Sequence, residues 1–167
     1  MAVILGIDIG TSSVKGMLLD TEKGVLGVKT KSYGVDIPRP GWAQQDPELW
    51  WNSLKEVLTW LRFHYAEDYE NIQAVGYSGQ MHGLVAVGAD KKPVRPAIIW
   101  LDQRSKKQLE EICRAFTEDE MGPALCQQSQ RLDLRFHLCC GYGRRNRRSL
   151  KRSEAFSVQK IDLRMEK

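Results

Sequence analysis

From Ala2 to Gly10 nearly every residue is apolar or glycine on both alternating faces, the pattern of a strand covered on two sides. Val14–Asp20 and Gly24–Tyr33 continue as strands, with Thr11-Ser12-Ser13 and Thr21-Glu22-Lys23-Gly24 as the turns between them. Asp46-Pro47-Glu48 then has the form of a helix start: a side-chain acceptor, proline at the first helical position and an acid in the first turn. Trp50, Leu54, Val57, Leu58, Leu61 and Tyr65 recur at helical spacing and predict a buried amphipathic helix. Ile72–Tyr77, Leu84–Val87 and Ala97–Leu101 predict further short strands, with a turn at residues 89–93, and Leu109, Ile112 and Phe116 mark a second helix. Three strands, a helix, more strands and a helix make a mixed α/β domain with helices flanking the sheet.

Composition changes that picture only in the last third. The 167 residues and 42% hydrophobic content suffice for one domain with a core. The longest apolar runs fall far short of the roughly 18 residues of a membrane span, and Met1 leads into a strand without a basic segment, so a cytoplasmic protein is expected. Four cysteines without metal-like spacing read as free thiols. The net charge of +4 hides an asymmetry: residues 1–120 hold 14 Lys and Arg against 17 Asp and Glu, whereas residues 121–167 hold 11 against 4. The acidic balance of the first part gives no support for nucleic-acid binding.

Three segments could carry chemistry. In Gly6–Lys15, Asp8 interrupts an apolar strand, where a carboxylate needs a cation, a hydrogen-bond network or solvent. The turn after it, Gly10 with Thr11, Ser12 and Ser13, offers backbone N–H groups and hydroxyls that could surround a phosphate while Asp8 holds a hydrated Mg²⁺. The plain alternative is a hairpin turn with an acid at its rim. In Gly76–Leu84, glycines allow close approach, and Gln80 and His82 present groups suited to hydroxyls; a structural histidine in a turn would look the same. In Ile98–Arg104, strand alternation would put Trp100, Asp102 and Arg104 on one side as an aromatic face, an acceptor and a fork of donors, a set fit for a sugar. The alternative is a local Asp–Arg pair at the start of the next helix. Trp42, Trp50 and Trp51 are assigned to packing, Trp42 being the one best placed to line a pocket.

Together these residues resemble the N-terminal domain of the FGGY carbohydrate kinases, members of the actin-like ATPase (ribonuclease H-like) superfamily. The resemblance covers residues 2–125, and its most specific part, Ser78-Gly79-Gln80-Met81-His82-Gly83, is similar to the xylulokinase branch. Gly41-Trp42-Ala43-Gln44-Gln45-Asp46-Pro47 agrees. Glycerol kinases carry a Gln-Arg-Glu sequence in the second segment, and Leu101 stands where many xylulokinases have Asn. The resemblance implies a phosphate loop from Asp8 to Lys15: Gly10, Thr11, Ser12, Ser13 and Lys15 toward ATP, and Asp8 as the catalytic carboxylate beside Mg²⁺. It likewise implies that Gln80, Met81 and His82 contact a ketose and that Trp100, Asp102 and Arg104 shape the sugar end. The implied reaction is ATP-dependent phosphorylation of a sugar, D-xylulose to D-xylulose 5-phosphate, with no nucleic acid or membrane as partner and a homodimer compatible with the full-length enzyme. In this family the general base and most of the adenosine pocket come from a second domain, so a chain of this length holds one wall of a cleft and is expected to be inactive alone. Another kinase of the family, acting on gluconate or ribulose, and a non-catalytic sugar-binding module are the alternatives.

Residues 126–167 read differently, as a basic, irregular tail rich in Arg and Ser with little core. Arg144-Arg145-Asn146-Arg147-Arg148 could serve as a nucleic-acid or targeting patch or be a solvated loop. A third reading is out-of-frame translation. When the last base of each codon is read with the first two of the next from Leu132 to Tyr142, codon choices exist that spell an apolar segment of the kind the family carries there; the Cys139–Cys140 junction can encode only leucine.

Overall fold

The computed structural model describes residues 2–115 and Ser153–Val158. They divide into two compact units, one made of the chain up to Val35 with Asp46–Gln80, the other of Asp36–Gln45 with the chain from Met81.

The first unit is built on strands β1 (Val3–Ile9), β2 (Ser13–Asp20), β3 (Gly24–Ser32) and β5 (Ile72–Gly79), with helices α1 (Pro47–His64) and α2 (Ala66–Glu70). Sheet order is β3-β2-β1-β5. The first three strands form the expected antiparallel meander, while β5 returns parallel to β1, so the sheet is mixed. That return needs a crossover, which α1 and α2 provide. The turn after β2 is fixed by Asp20, whose carboxylate accepts the N–H groups of Glu22 at 2.8 Å and Lys23 at 3.0 Å. Those two donors hold the Asp20 carboxyl below its ordinary value.

Helix α1 begins as the sequence indicates: Asp46 accepts from the Glu48 N–H at 3.0 Å, and Pro47 occupies the first helical position. Leu54, Val57 and Leu61 on one face pack against Val3, Leu5, Ile7 and Ile9 of β1 and Val14 and Leu18 of β2. The opposite face of β1 is not closed among the described residues. Ile4 and Gly6 are half-buried and Asp8 is exposed, so among the described residues the strand is covered on one side rather than both. At Gly16 helix and sheet approach closely: a Cβ there would lie 2.6 Å from Val57 and 2.9 Å from Leu61. Glycine is required at that point by space, not by backbone angle.

The second unit holds β4 (Gln44–Gln45), β6 (Gly83–Gly88), β7 (Ala97–Ile98), helix α3 (Lys106–Ala115) and β8 (Ser153–Val158), in sheet order β4-β7-β6-β8, with its pairings antiparallel. Leu84, Ala86, Ala97, Ile98 and Ile99 are buried there. Strand β7 ends at Ile98, not at Leu101, because the Asp102 N–H turns back to the Ile99 carbonyl at 3.0 Å. Of the tail read as irregular, Ser153–Val158 forms β8 beside β6; its Ala155, Phe156 and Val158 are compatible with a strand. Phe116, the arginine cluster at 144–148 and the segment tested for a shifted frame lie outside the described residues. Among the described residues no helix is long and apolar enough to cross a membrane.

Candidate functional site

The turn joining β1 to β2 is a closed loop. Gly10 donates its N–H to the Ser13 carbonyl at 2.9 Å, and the Ser12 carbonyl accepts the N–H of Tyr33 at 2.9 Å. The Tyr33 hydroxyl donates to the Gly10 carbonyl at 2.6 Å. Burial, and secondarily the charge of Asp8, pushes the Tyr33 hydroxyl up to about 12. Asp8, Lys15 and Ser78 occupy one row across β2, β1 and β5, since Asp8 pairs with Lys15 on one side and Ser78 on the other. Asp8 and Lys15 are both exposed, so the carboxylate that looked costly in an apolar strand is solvated at the sheet's open face. A lone exposed carboxylate beside a loop of hydroxyls is a donor set that suits a hydrated Mg²⁺, which keeps several waters and takes few protein ligands.

Parallel pairing brings the ends of β1 and β5 together. Gln80 donates its N–H to the Ile9 carbonyl at 2.8 Å, and the Thr11 hydroxyl donates to the Gln80 side-chain oxygen at 3.2 Å. The loop read from the first segment and the glutamine read from the second are therefore hydrogen-bonded neighbours. Met81 and His82, which follow Gln80 in the second unit, are respectively 60% exposed and half-buried. His82 adopts φ 63°, the left-handed region that favours glycine.

The third segment departs from its expected geometry. Alternation would set Trp100, Asp102 and Arg104 on one face, but the strand has already ended. Trp100 is exposed, whereas Asp102 and Arg104 are buried and bonded to each other. Arg104 Nε donates to both Asp102 oxygens at 2.8 Å, its Nη2 lies 2.6 Å from Oδ2, and its backbone N–H donates to Oδ1 at 2.9 Å. Asp102 Oδ2 also accepts the Ala43 N–H at 2.6 Å. The Arg104 guanidinium lies 3.9 Å from the centre of the Trp42 ring, and the exposed Arg39 lies 5.1 Å from it. The local Asp–Arg pair is the arrangement present, and both side chains are buried.

In the second sheet Gln44 pairs with Ile98, and Ile98 with Leu84. The Ile99 N–H donates to the Ala43 carbonyl at 3.2 Å. Sequence reasoning placed His82 and Trp100 in the site but missed Tyr33, whose only signal is a tyrosine at a strand end that buries its ring and must satisfy its hydroxyl. A groove of 790 Å³ between α1 and β3, lined by Lys29, Trp60, Phe63 and His64 among others, contains none of these residues.

The model of the FGGY family of carbohydrate kinases, N-terminal domain, matches residues 3–131. A xylulose kinase of Lactococcus lactis is 38% identical over 134 residues, covering 80% of this chain and 26% of that protein. The chain thus spans about a quarter of the length of that relative. Among solved structures, a xyloylose kinase from Brucella ovis superposes with a TM-score of 0.73 at 27% identity, over 92% of this chain and 32% of the other. The gluconate kinase from Lactobacillus acidophilus reaches 0.82 at 19% identity, over 94% and 31%. The latter likeness bears on fold alone, and it agrees with the mixed α/β arrangement expected from the sequence. With most of its length matched by the family model, the chain belongs to the FGGY family of carbohydrate kinases and carries their N-terminal domain.

Proposed function

We propose that this chain forms one wall of the cleft of an ATP-dependent sugar kinase, with D-xylulose as acceptor and D-xylulose 5-phosphate as product. The observation that carries the reading is the bond from Thr11 to Gln80, because it ties the phosphate-loop candidate to the start of the Gln80-Met81-His82 segment. Phosphoryl transfer asks chiefly for positioning and charge neutralisation. In this reading Gly10, Thr11, Ser12, Ser13 and Lys15 receive the phosphates of ATP, and Asp8 holds a Mg²⁺ through its water shell. When bound, that ion neutralises charge on the transferring group. Gln80, Met81 and His82 meet the sugar hydroxyls, and Trp100 offers an apolar face backed by the Asp102–Arg104 pair. The base that takes the hydroxyl proton is assigned to the second domain of the family.

The test is calorimetric titration of the full chain with D-xylulose, D-ribulose, gluconate and glycerol, followed by a kinase assay with and without a C-terminal domain of a related xylulose kinase. D-xylulose binding ahead of the others, with turnover only when the second domain is present, is the expected result. Preference for gluconate or ribulose would move the chain to another branch of the family. Sugar binding with no turnover under either condition would favour a non-catalytic sugar-binding module.

A further inference from the structure

Two segments distant in sequence are sewn together by Asp102 and Arg104. Gln103 donates its N–H to the Gly41 carbonyl at 2.7 Å, Ile99 donates to the Ala43 carbonyl at 3.2 Å, and Asp102 takes the Ala43 N–H at 2.6 Å. Between these contacts lies the turn from Ile99 to Asp102, with the exposed Trp100 on it. The Arg104 side chain is 2% exposed and that of Asp102 is fully buried. Both side chains are buried beside the turn they hold. Arg104 spans the assembly: its Nε donates to both carboxylate oxygens, its Nη2 lies 2.6 Å from Oδ2, and its guanidinium lies 3.9 Å from the centre of the Trp42 ring. A guanidinium paired with a carboxylate and set over an aromatic ring has a strongly preferred orientation.

We infer that Asp102 and Arg104 are positioning residues of the sugar site, and that Trp42 is their platform: together they set where the Trp100 turn stands relative to His82, which precedes the neighbouring strand β6. The inference rests on the sugar-kinase reading, and it reassigns these two side chains from contacting the sugar to holding what contacts it. Pairing supports it, since Ile98, two residues before Trp100, pairs with Leu84, two residues after His82. An ammonium cannot replace the guanidinium in this role, because a point charge lacks both the fork and the flat face.

The test uses Arg104→Lys and Trp42→Phe in the full chain, with D-xylulose affinity by calorimetry, amide exchange by NMR and thermal melting. Arg104→Lys is expected to weaken D-xylulose binding about tenfold, a loss typical of a broken two-pronged charged contact. It should also speed exchange of the Ala43 amide while leaving the Gly10 amide, in the other unit, unchanged. Trp42→Phe keeps an aromatic platform and should retain affinity within about threefold. Arg104→Lys binding D-xylulose as well as the parent chain does would overturn the inference. Loss of both amide protections together with a collapsed melting transition would also overturn it, by making the pair a general support of the fold. A parent chain that binds no D-xylulose at all would instead defeat the sugar-kinase reading on which the inference stands.

Discussion

The Tyr33 hydroxyl donates to the Gly10 carbonyl at 2.6 Å while the Tyr33 backbone N–H donates to the Ser12 carbonyl at 2.9 Å. One residue just beyond β3 thus clips the phosphate-loop candidate at two carbonyls. Tyr33→Phe keeps the ring and the backbone clip but loses the hydroxyl bond. The expected cost is about 1 kcal/mol, read as a lower urea midpoint at pH 7.

The same hydroxyl gives a pH dependence with a definite sign. The unfolded chain ionises Tyr33 near its ordinary value of about 10, the folded chain only near about 12. Folding therefore favours the neutral phenol, and the stability this contributes is complete below pH 10 and lost as pH rises toward 12. Tyr69 is also raised by burial and titrates in both proteins. Urea midpoints between pH 9 and 12 should fall more steeply for the parent chain than for Tyr33→Phe; equal slopes would remove Tyr33 from the account.

Gly16→Ala places a methyl 2.6 Å from Val57 and 2.9 Å from Leu61, inside the contact between β2 and α1. Both neighbours are fully buried and cannot swing away. Overpacking of this kind costs about 1–3 kcal/mol. A companion change of Val57 to Ala should recover part of the loss, and a double-mutant cycle on thermal melts would read the coupling.

Asp46→Ala removes the side-chain acceptor for the Glu48 N–H. Helix α1 should lose about 1 kcal/mol of support at its first turn, with Asp46→Asn restoring most of it. Amide exchange at Glu48 and Leu49 measures the fraying directly.

Glu56→Ala serves as the contrast. Glu56 sits 2.6 Å from Lys31, but their side chains are 59% and 44% exposed. The expected change is below about 1 kcal/mol, and it should vanish in 0.5 M salt; a larger, salt-independent loss would mean the pair is desolvated in solution.

What could be read from the sequence was local. The β1–β3 meander follows from apolar runs broken by Thr11-Ser12-Ser13 and by Thr21–Gly24, and α1 follows from the Asp46-Pro47 start and the Leu54, Val57, Leu61 spacing. What escaped depends on partners far along the chain. Nothing near residue 100 announces that Asp102 will turn back to Ile99 and end the strand early, or that its carboxylate will take the Ala43 N–H. Strand β4, two residues long, forms where Gln44 and Gln45 meet β7 and Gln44 bridges to Asp36. Alternation beyond Ile98 therefore misplaced Asp102 and Arg104, although it identified them as a pair worth attention. The covering of β1 on one face only reflects the same limit: an apolar strand announces burial without naming what supplies it.

At position 82 the chain holds an imidazole at φ 63°, where a side chain strains the backbone and glycine would not. His82→Gly is then a substitution that relieves the chain while removing the group proposed to meet the sugar. Stability and binding pull in opposite directions at this one residue. A library selected only for heat resistance would drift toward glycine there, and one selected for sugar retention would keep the histidine, so the split between the two outcomes would measure what the ring is for.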